Sequence, residues 1–536
     1  MRRQNLRCST AVRRSRWAVV WLLLASFWPA GWGHADEQPA ELEPKPRFFY
    51  NDDGDRAVFL LKGPFHERQL QYAVDVLVGT GVTTLIYCAN FGSDQAYYPS
   101  KVASALGWRE VEQTRRNARY TYFNRVHEVG GLLRERKIDV LGAVMRRAKQ
   151  QGLEFVPSLR MNDTHFLNKD PPLVHPLTGE FWMQNRDLTI DGGALDFTHQ
   201  KVRDYRMGQI NELIDSYAAD GFEMDFSRQP IIFPKGSGQR KQNLVTEMVR
   251  KARQRLDQKG EKDGKRRFLI VRVPHLLARC QDYGFDLGAW MKEGLVDYVV
   301  PASPDRYFQF DIPLAEFLVL AERTDSKCRV VAGPDSYKAT PAMYRAAIAN
   351  YYTLGQQDTY LFNFFTARAE QREYYPFRDE DYALLRDLKS PVTLWGRPKH
   401  FMSDGWFPGR GVKLQETGKK YDIGIYIGDD LALCRDENIL KQAWLQIVIN
   451  ARQQGDELEI ALNGQPLPMG EAKVDGSTIR FELKKQLPKV GHNTVSVTPK
   501  QFASDARPTV ALVELLTDYD ITGVFRLGQE STEDLE

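Results

Sequence analysis

The chain has 536 residues, with 73 basic and 70 acidic groups, and six arginines but no acid fall within its first 35 residues. The remainder therefore carries 67 basic against 70 acidic groups. This balance argues against a nucleic-acid protein, which shows a clustered basic face, and the length exceeds what one core usually holds, so at least two domains are expected.

The N-terminus reads as a secretory signal over residues 1–35. Arginines at 2, 3, 7, 13, 14 and 16 precede an apolar run from Trp17 to Phe27, and Gly33-His34-Ala35 offers a small-residue cleavage site before Asp36. The run is short of the ~20 residues that span a bilayer, and no later stretch reaches that length, so no integral membrane segment is expected after cleavage. Residues 36–46 read as an acidic, Pro-containing linker.

From residue 47 short β-rich runs alternate with longer amphipathic ones. The predicted strands are Phe48-Tyr50 extending towards Leu61, then Val82–Ala89, Glu154–Met161, Phe222–Phe226, Phe268–Val273, Val296–Pro301, Cys328–Ala332 and Tyr360–Phe365. Helical periodicity lies between them: Val140, Leu141, Val144, Met145 and Ala148 mark one buried face, and Leu244, Val245, Met248, Val249 and Ala252 another. Thr340-Pro341 gives an N-cap followed by Pro, and Gly355 ends the same helix. Eight strands alternating with helices predict an α/β fold, a (β/α)8 TIM barrel over 47–390. Insertions at 90–137 and 162–199 fall after the second and third strands, on the end where barrel active sites are built. A doubly wound sheet is the alternative, but no Gly-rich phosphate loop is present.

Beyond Leu388 the pattern changes. Ser390-Pro391 and Gly396-Arg397-Pro398 punctuate a boundary. The alternating runs 444–449 and 457–462, with turn signals at Asn463-Gly464 and Asp475-Gly476, predict a smaller all-β sandwich of jelly-roll kind over 391–528. Residues 529–536 form an acidic tail. Cys88, Cys280, Cys328 and Cys434 show no CxxC or zinc spacing and read as buried thiols, one disulfide being the alternative.

Candidate chemistry gathers at strand ends. In Gly221-Phe222-Glu223-Met224-Asp225-Phe226, alternation puts Glu223 and Asp225 on one face and the apolar residues on the other. The apolar face must meet the helices, so both carboxylates point into the barrel, Asp225 nearer the mouth. Glu223 reads equally as a buried ion-pair partner of Arg160 or Arg272. Arg160-Met161-Asn162-Asp163-Thr164-His165 runs off the third strand and offers an amide, a carboxylate and an imidazole, groups that read sugar hydroxyls; an Asx-turn is the plainer reading. Asp53, in Asn51-Asp52-Asp53-Gly54-Asp55, is a substrate-facing acid or part of a turn. Asp335 follows the seventh strand as a further carboxylate or a cap. None of the nine His forms HxH or HExxH, and no metal or cofactor is expected. Paired carboxylates at a barrel mouth suit glycosidic cleavage, in which one protonates the leaving oxygen and the other acts as nucleophile or base.

In the segments 160–165 and 221–226, with Val271-Arg272-Val273-Pro274, Gly284-Phe285-Asp286-Leu287, Gly294-Leu295-Val296-Asp297 and Asn51–Asp55, the chain resembles the glycosyl-hydrolase-like family 10 barrels of bacterial exported proteins. The resemblance covers residues 47–388. It implies a (β/α)8 fold and action on glycosides, and it puts the catalytic strand-four Asp on Asp225. Where the wider group often has Asp-Asp-Tyr, this chain has Asp225-Phe226-Ser227. The C-terminal part resembles a galactose-binding-type sandwich at Leu462-Asn463-Gly464.

The sequence thus predicts an exported, periplasmic or extracellular glycoside hydrolase acting on a carbohydrate polymer or oligomer. Asp225, Glu223 and Asp163 are the catalytic candidates. Arg160, Asn162, His165, Arg228, Arg272, Asp53 and Asp335 would bind substrate or tune the carboxylates. A non-catalytic carbohydrate-binding or cell-surface scaffold protein on a degenerate barrel is the alternative. The arginines and His165 hint at an anionic sugar.

Overall fold

The computed structural model describes residues 45–54, 66–91, 94–110, 121–165, 167, 177–190, 192–303, 308–335, 339–364, 379–403 and 411–522. The signal segment, most of the linker, Asp55, the expected extension of the first strand and the acidic tail lie outside them. Pro46–Glu536 forms one compact unit, distinct from Met1–Lys45.

All eight predicted barrel strands are present: β1 (Phe48–Asp52), β2 (Thr84–Cys88), β3 (Glu154–Arg160), β4 (Gly221–Asp225), β5 (Phe268–Pro274), β6 (Tyr298–Ala302), β7 (Arg329–Val330) and β8 (Thr359–Phe362). They form one curled parallel sheet in the order β7-β6-β5-β4-β3-β2-β1-β8. A parallel bridge between Asp335 and Phe362 brings the chain just after β7 back to β8. The architecture is TIM-barrel-like, followed by smaller antiparallel sheets.

Alternation along each strand sorts the side chains into two cores. Phe222, Met224 and Phe226 join the large cluster between sheet and helices. Phe49, Ile86, Val156, Phe268, Ile270, Tyr298, Val300, Val331, Tyr360 and Phe362 form a separate cluster inside the sheet. That inner cluster is packed at its base by aromatic edges, Phe49 lying 4.9 Å from Tyr298 between ring centroids. Below it Arg47 bridges Glu154 at 2.7 Å and donates to the Tyr298 hydroxyl at 2.7 Å.

The outer layer includes α1 (Glu67–Asp75), α2 (Thr121–Glu135), α3 (Val140–Gln150), α4 (Gln200–Ser216), α5 (Gly238–Glu261), α6 (Leu314–Arg323), α7 (Pro341–Thr353) and α8 (Asp379–Leu388). Their starts follow local chemistry: Asp139 accepts from the Gly142 N–H at 2.9 Å to cap α3, and Thr340 accepts from Met343 at 3.3 Å with Pro341 in the first turn of α7. After β2 the chain builds a small three-stranded sheet from Asn90–Phe91, Gln95–Ala96 and Ser104–Ala105.

Past Ser390 come β9 (Lys399–Met402), β10 (Val412–Lys413), β11 (Tyr421–Ile427), β12 (Leu440–Asn450), β13 (Glu457–Leu462), β14 (Gln465–Leu467), β15 (Lys473–Asp475), β16 (Thr478–Glu482), β17 (Gly491–Gln501) and β18 (Thr509–Tyr519). One antiparallel sheet runs β9-β18-β12-β16-β15, with β10 also on β18, and the other runs β11-β17-β13-β14. Asn463 and Gly464, at φ 52° and 80°, make the predicted tight hairpin between β13 and β14. The four cysteines of the described chain are buried free thiols.

The barrel and the sheets share a tight seam. Helix α7 packs on β9 and β11. Asn350, fully buried on α7, donates to the carbonyls of Phe310 at 2.9 Å and Tyr426 at 3.1 Å. A Cβ on Gly428 would lie 2.6 Å from the Ala349 carbonyl carbon, so only glycine lets the two backbones approach this closely.

Candidate active site

Strand register sets the site in layers. Glu223 on β4 stands level with Ser158 on β3 and Ile270 on β5; two residues on, Asp225 stands level with Arg160 and Arg272. All of these except Ile270, a member of the inner cluster, are polar, and Asp225, Arg160 and Arg272 stand towards the C-terminal ends of their strands.

Glu223 is 0 % exposed, and its partners are neutral. Its Oε1 accepts from Asn51 Nδ2 at 2.8 Å and from Ser158 Oγ at 2.7 Å. Its Oε2 accepts from the Tyr360 hydroxyl at 2.8 Å, and that hydroxyl accepts in turn from Asn51 at 2.6 Å. One carboxyl thus ties β1, β3, β4 and β8. Burial, then the nearby charge of Asp225, pushes its pKa up to about 7 against the hydrogen bonds that favour the ionised form.

Asp225, 1 % exposed, takes the arginine instead. Arg272 Nη1 lies 3.1 Å from Oδ1 and 3.2 Å from Oδ2. Oδ1 also accepts from the Ser227 N–H at 2.8 Å and the Arg228 N–H at 3.3 Å, which fixes the turn leaving β4. The Arg272 guanidinium stacks 3.7 Å from the centre of the Phe362 ring. The expectation that Arg160 or Arg272 pairs with Glu223 is therefore not met: register puts both arginines one layer higher, level with Asp225.

Arg160 holds a second pair of carboxylates. It donates to Asp53 through Nη2 and to Asp163 at 3.0 Å through Nη1. Asp163 Oδ1 accepts from the His165 N–H at 2.8 Å and meets His165 Nδ1 at 2.6 Å. Arg228 reaches His165 Nε2. A guanidinium has no lone pair, so Nε2 accepts and Nδ1 carries the proton towards Asp163. Burial would raise the Asp163 carboxyl, but His165, Arg160 and Arg228 outweigh it and hold it well below the usual carboxylate range.

Asp53, Asp163, His165, Arg160 and Arg228 are thus one chain of contacts, and Asp225 with Arg272 is a second. Asn162 serves the backbone instead. It exchanges hydrogen bonds with Leu195 at 3.0 and 3.1 Å and so anchors the segment before α4. Asp335 is buried beside its bridge to Phe362, and its charge acts on Arg272. Among the described residues, no group of three or more His, Cys, Asp and Glu is placed to hold a metal ion.

Sequence reasoning did not single out Asn51, Ser158 and Tyr360 as partners of Glu223. Their signal is phase: Asn51 follows Phe49 by two, Ser158 follows Val156 by two, and Tyr360 precedes Phe362 by two, all inward positions. It also missed the buried pair of Arg206 with Asp94 at 2.6 Å, which fastens the loop after β2 to α4.

No family model matches the chain, and no curated protein does. Among solved structures it is similar to a maltogenic α-amylase from Thermotoga neapolitana, at 11 % identity over 84 % of this chain and 98 % of that chain, with a TM-score of 0.36. It is similar also to an α-L-fucosidase from Vibrio sp. strain EJY3, at 10 % identity over 86 % and 89 %, TM-score 0.34. A cycloisomaltooligosaccharide glucanotransferase from Paenibacillus sp. aligns at 9 % identity over 88 % of this chain, TM-score 0.33; the chain spans 57 % of that protein's length. Likenesses this distant carry no argument about chemistry, which rests on the site alone.

Proposed function

We propose that the chain is an exported glycoside hydrolase that cleaves glycosidic bonds in a carbohydrate polymer or oligomer by carboxylate acid/base chemistry. The observation that carries this reading is a pair of inward carboxylates, two residues apart on β4, in opposed surroundings. Glu223 sits among neutral donors and is pushed towards the neutral range; Asp225 is ion-paired with Arg272. Environments that drive two carboxyls apart are how one site supplies both an acid and a base or nucleophile. In this scheme Asp225 attacks or activates water, and Glu223 holds the proton for the leaving oxygen. Asp163, held in its charged form, suits stabilisation of positive charge developing on the sugar and not proton donation. The motif resemblance over 47–388 supports the same reading, and export rests on the segment 1–35.

One observation favours the second reading, a carbohydrate-binding barrel without turnover. Asp225 and Asp163 are both already committed to buried ion pairs. Asp225→Asn separates the two. Against plant, microbial and algal glycans, a hydrolase should lose turnover by a factor on the order of 10² or more. Near-normal turnover in this variant would remove Asp225 from the mechanism. Binding of oligosaccharides by wild type and variant alike, with no turnover of any glycan, would establish the binding protein.

A further inference from the structure

The seam between the barrel and the antiparallel sheets holds a cavity of about 270 Å³, bordered by Tyr352 and Thr353 of α7, Trp395, Asp429, Asp430 and Leu433. It lies at the C-terminal end of α7, whose Tyr352 hydroxyl meets Thr359 at the start of β8 at 2.7 Å. That is the opposite end of the barrel from Asp225, which ends β4. The volume is below the roughly 300–1,000 Å³ of sites for drug-sized ligands and suits one ring.

Two features of its wall are arranged for a ligand. The first is apolar exposure: Trp395 is 43 % exposed and Leu433 49 %, and both border the cavity. An indole left in water beside a cavity forfeits the burial that usually stabilises it, and such clusters mark interaction sites. The second is a carboxylate held from behind. Asp429 Oδ2 pairs with Lys399 Nζ at 2.9 Å and accepts from the Tyr519 hydroxyl. The Lys399 side chain is 0 % exposed, and it also donates to the Leu394 carbonyl at 2.7 Å. Both of these contacts use Oδ2, and Asp429 stands on the cavity wall. Asp430 is likewise half used, since its Oδ1 caps the short helix Leu431–Asp436 through the Leu433 N–H at 3.0 Å.

A flat apolar face beside fixed acceptors is the chemistry that recognises a sugar ring, whose C–H face stacks on an aromatic and whose hydroxyls donate to carboxylates. We propose that this seam is a second carbohydrate-binding site, in which a single neutral sugar ring stacks on Trp395 and donates hydroxyls to Asp429 Oδ1 and Asp430. Two carboxylates on the wall exclude uronates and sulfated sugars. The site is independent of the barrel chemistry: it would anchor the protein to glycan whether or not Asp225 turns it over.

The test uses the full chain. Methyl α-D-glucopyranoside, methyl α-D-galactopyranoside and methyl α-L-fucopyranoside are titrated at millimolar concentration, followed by ligand-observed NMR and tryptophan fluorescence. Asp225→Asn protein should bind at least one of them as the wild type does, which keeps the result separate from the barrel site. Trp395→Ala should lose that binding while the chain still melts cooperatively, because the residue is 43 % exposed. Asp429→Asn should weaken it at least tenfold; since this change also disturbs Lys399, Trp395→Phe, which keeps a stacking face, is the second check and should retain most of the affinity. Full binding in Trp395→Ala, binding lost in Asp225→Asn alone, or no binding of any of the three glycosides would each overturn the proposal.

Discussion

The two halves of the barrel interior are built on opposite principles. Its lower half is apolar, with Phe49, Ile86, Val156, Phe268 and Tyr298 interlocked above the Arg47–Glu154 and Arg329–Asp358 pairs. Its upper half holds Glu223, Asp225, Asp53, Asp163 and Asp335 with Arg160 and Arg272, nearly all out of water. The lower half gains stability from burial; the upper half gives some of it up, because desolvated charges are tolerated only when paired. The same eight strands run through both. Chemistry has therefore been placed where each strand ends, on a floor that does not depend on it.

The sharpest way to break this contrast is to remove one charge from the upper half. Arg272→Met leaves Asp225 buried without its partner, and a broken buried pair costs about 3–5 kcal/mol. Arg272→Met combined with Asp225→Asn should regain most of that loss, since the uncompensated charge is gone. Phe49→Ala in the floor should cost a similar amount, about 3–5 kcal/mol, through a cavity. No polar change above should rescue it. Chemical denaturation of the four proteins distinguishes the cases: rescue of the first and not of the second is expected. Failure of the double variant to recover would mean that Arg272 acts by packing on Phe362 and not by charge.

What the sequence disclosed follows the same division. The eight strands and the direction of both β4 carboxylates were legible, because strand alternation is local and Phe222, Met224 and Phe226 name the outer face by themselves. The partners were not legible. Asn51, Ser158, Glu223 and Tyr360 meet only because the sheet curls until β1, β3, β4 and β8 share one interior. Which arginine pairs with which acid depends on inter-strand register, and a two-residue change of layer moves Arg272 from Glu223 to Asp225. The hairpin at Asn463-Gly464 was legible because one turn decides it. The roles of Asn162 and Asn350 were not, since each serves a backbone segment remote in sequence.

A smaller effect sharpens the contrast by titration. Glu223 is raised from 4.5 to about 7 in the folded chain. Between those values the folded chain keeps a proton that the unfolded chain releases. Stability therefore falls as pH rises through that window, by about 1.4 kcal/mol per pH unit at the steepest, and levels off above it. Asp163 is held below its ordinary value, so its contribution is present above the unfolded value and is lost as pH falls. Melting temperatures from about pH 2 to about pH 8 should fall off on both sides. Glu223→Gln should flatten the neutral side and leave the acid side intact; Asp163→Asn should do the reverse. A neutral-side slope that survives Glu223→Gln would show that another group carries it.

The smallest effect lies outside the barrel interior, at the seam, and it asks whether a neutral buried amide behaves like the charged upper half or the apolar floor. Asn350 gives its two N–H donors to Phe310 and Tyr426, joining the loop before α6 and strand β11 through one side chain. Asn350→Leu keeps the volume and adds apolar surface, but it strands two buried carbonyls. Each unsatisfied group costs about 1–3 kcal/mol, while the added apolar contact returns part of it, so a net loss of about 1–3 kcal/mol is expected. The loss is small enough that the chain should still unfold in one transition, because the Thr353 hydroxyl still donates to the Gly428 carbonyl at 3.1 Å and the close approach of Gly428 to Ala349 remains across the same seam. Differential scanning calorimetry reads both quantities at once. A melt that splits into two transitions would make Asn350 the principal fastening between barrel and sheets; an unchanged melting temperature would mean that water replaces the amide at no cost, and that the seam is held by packing alone.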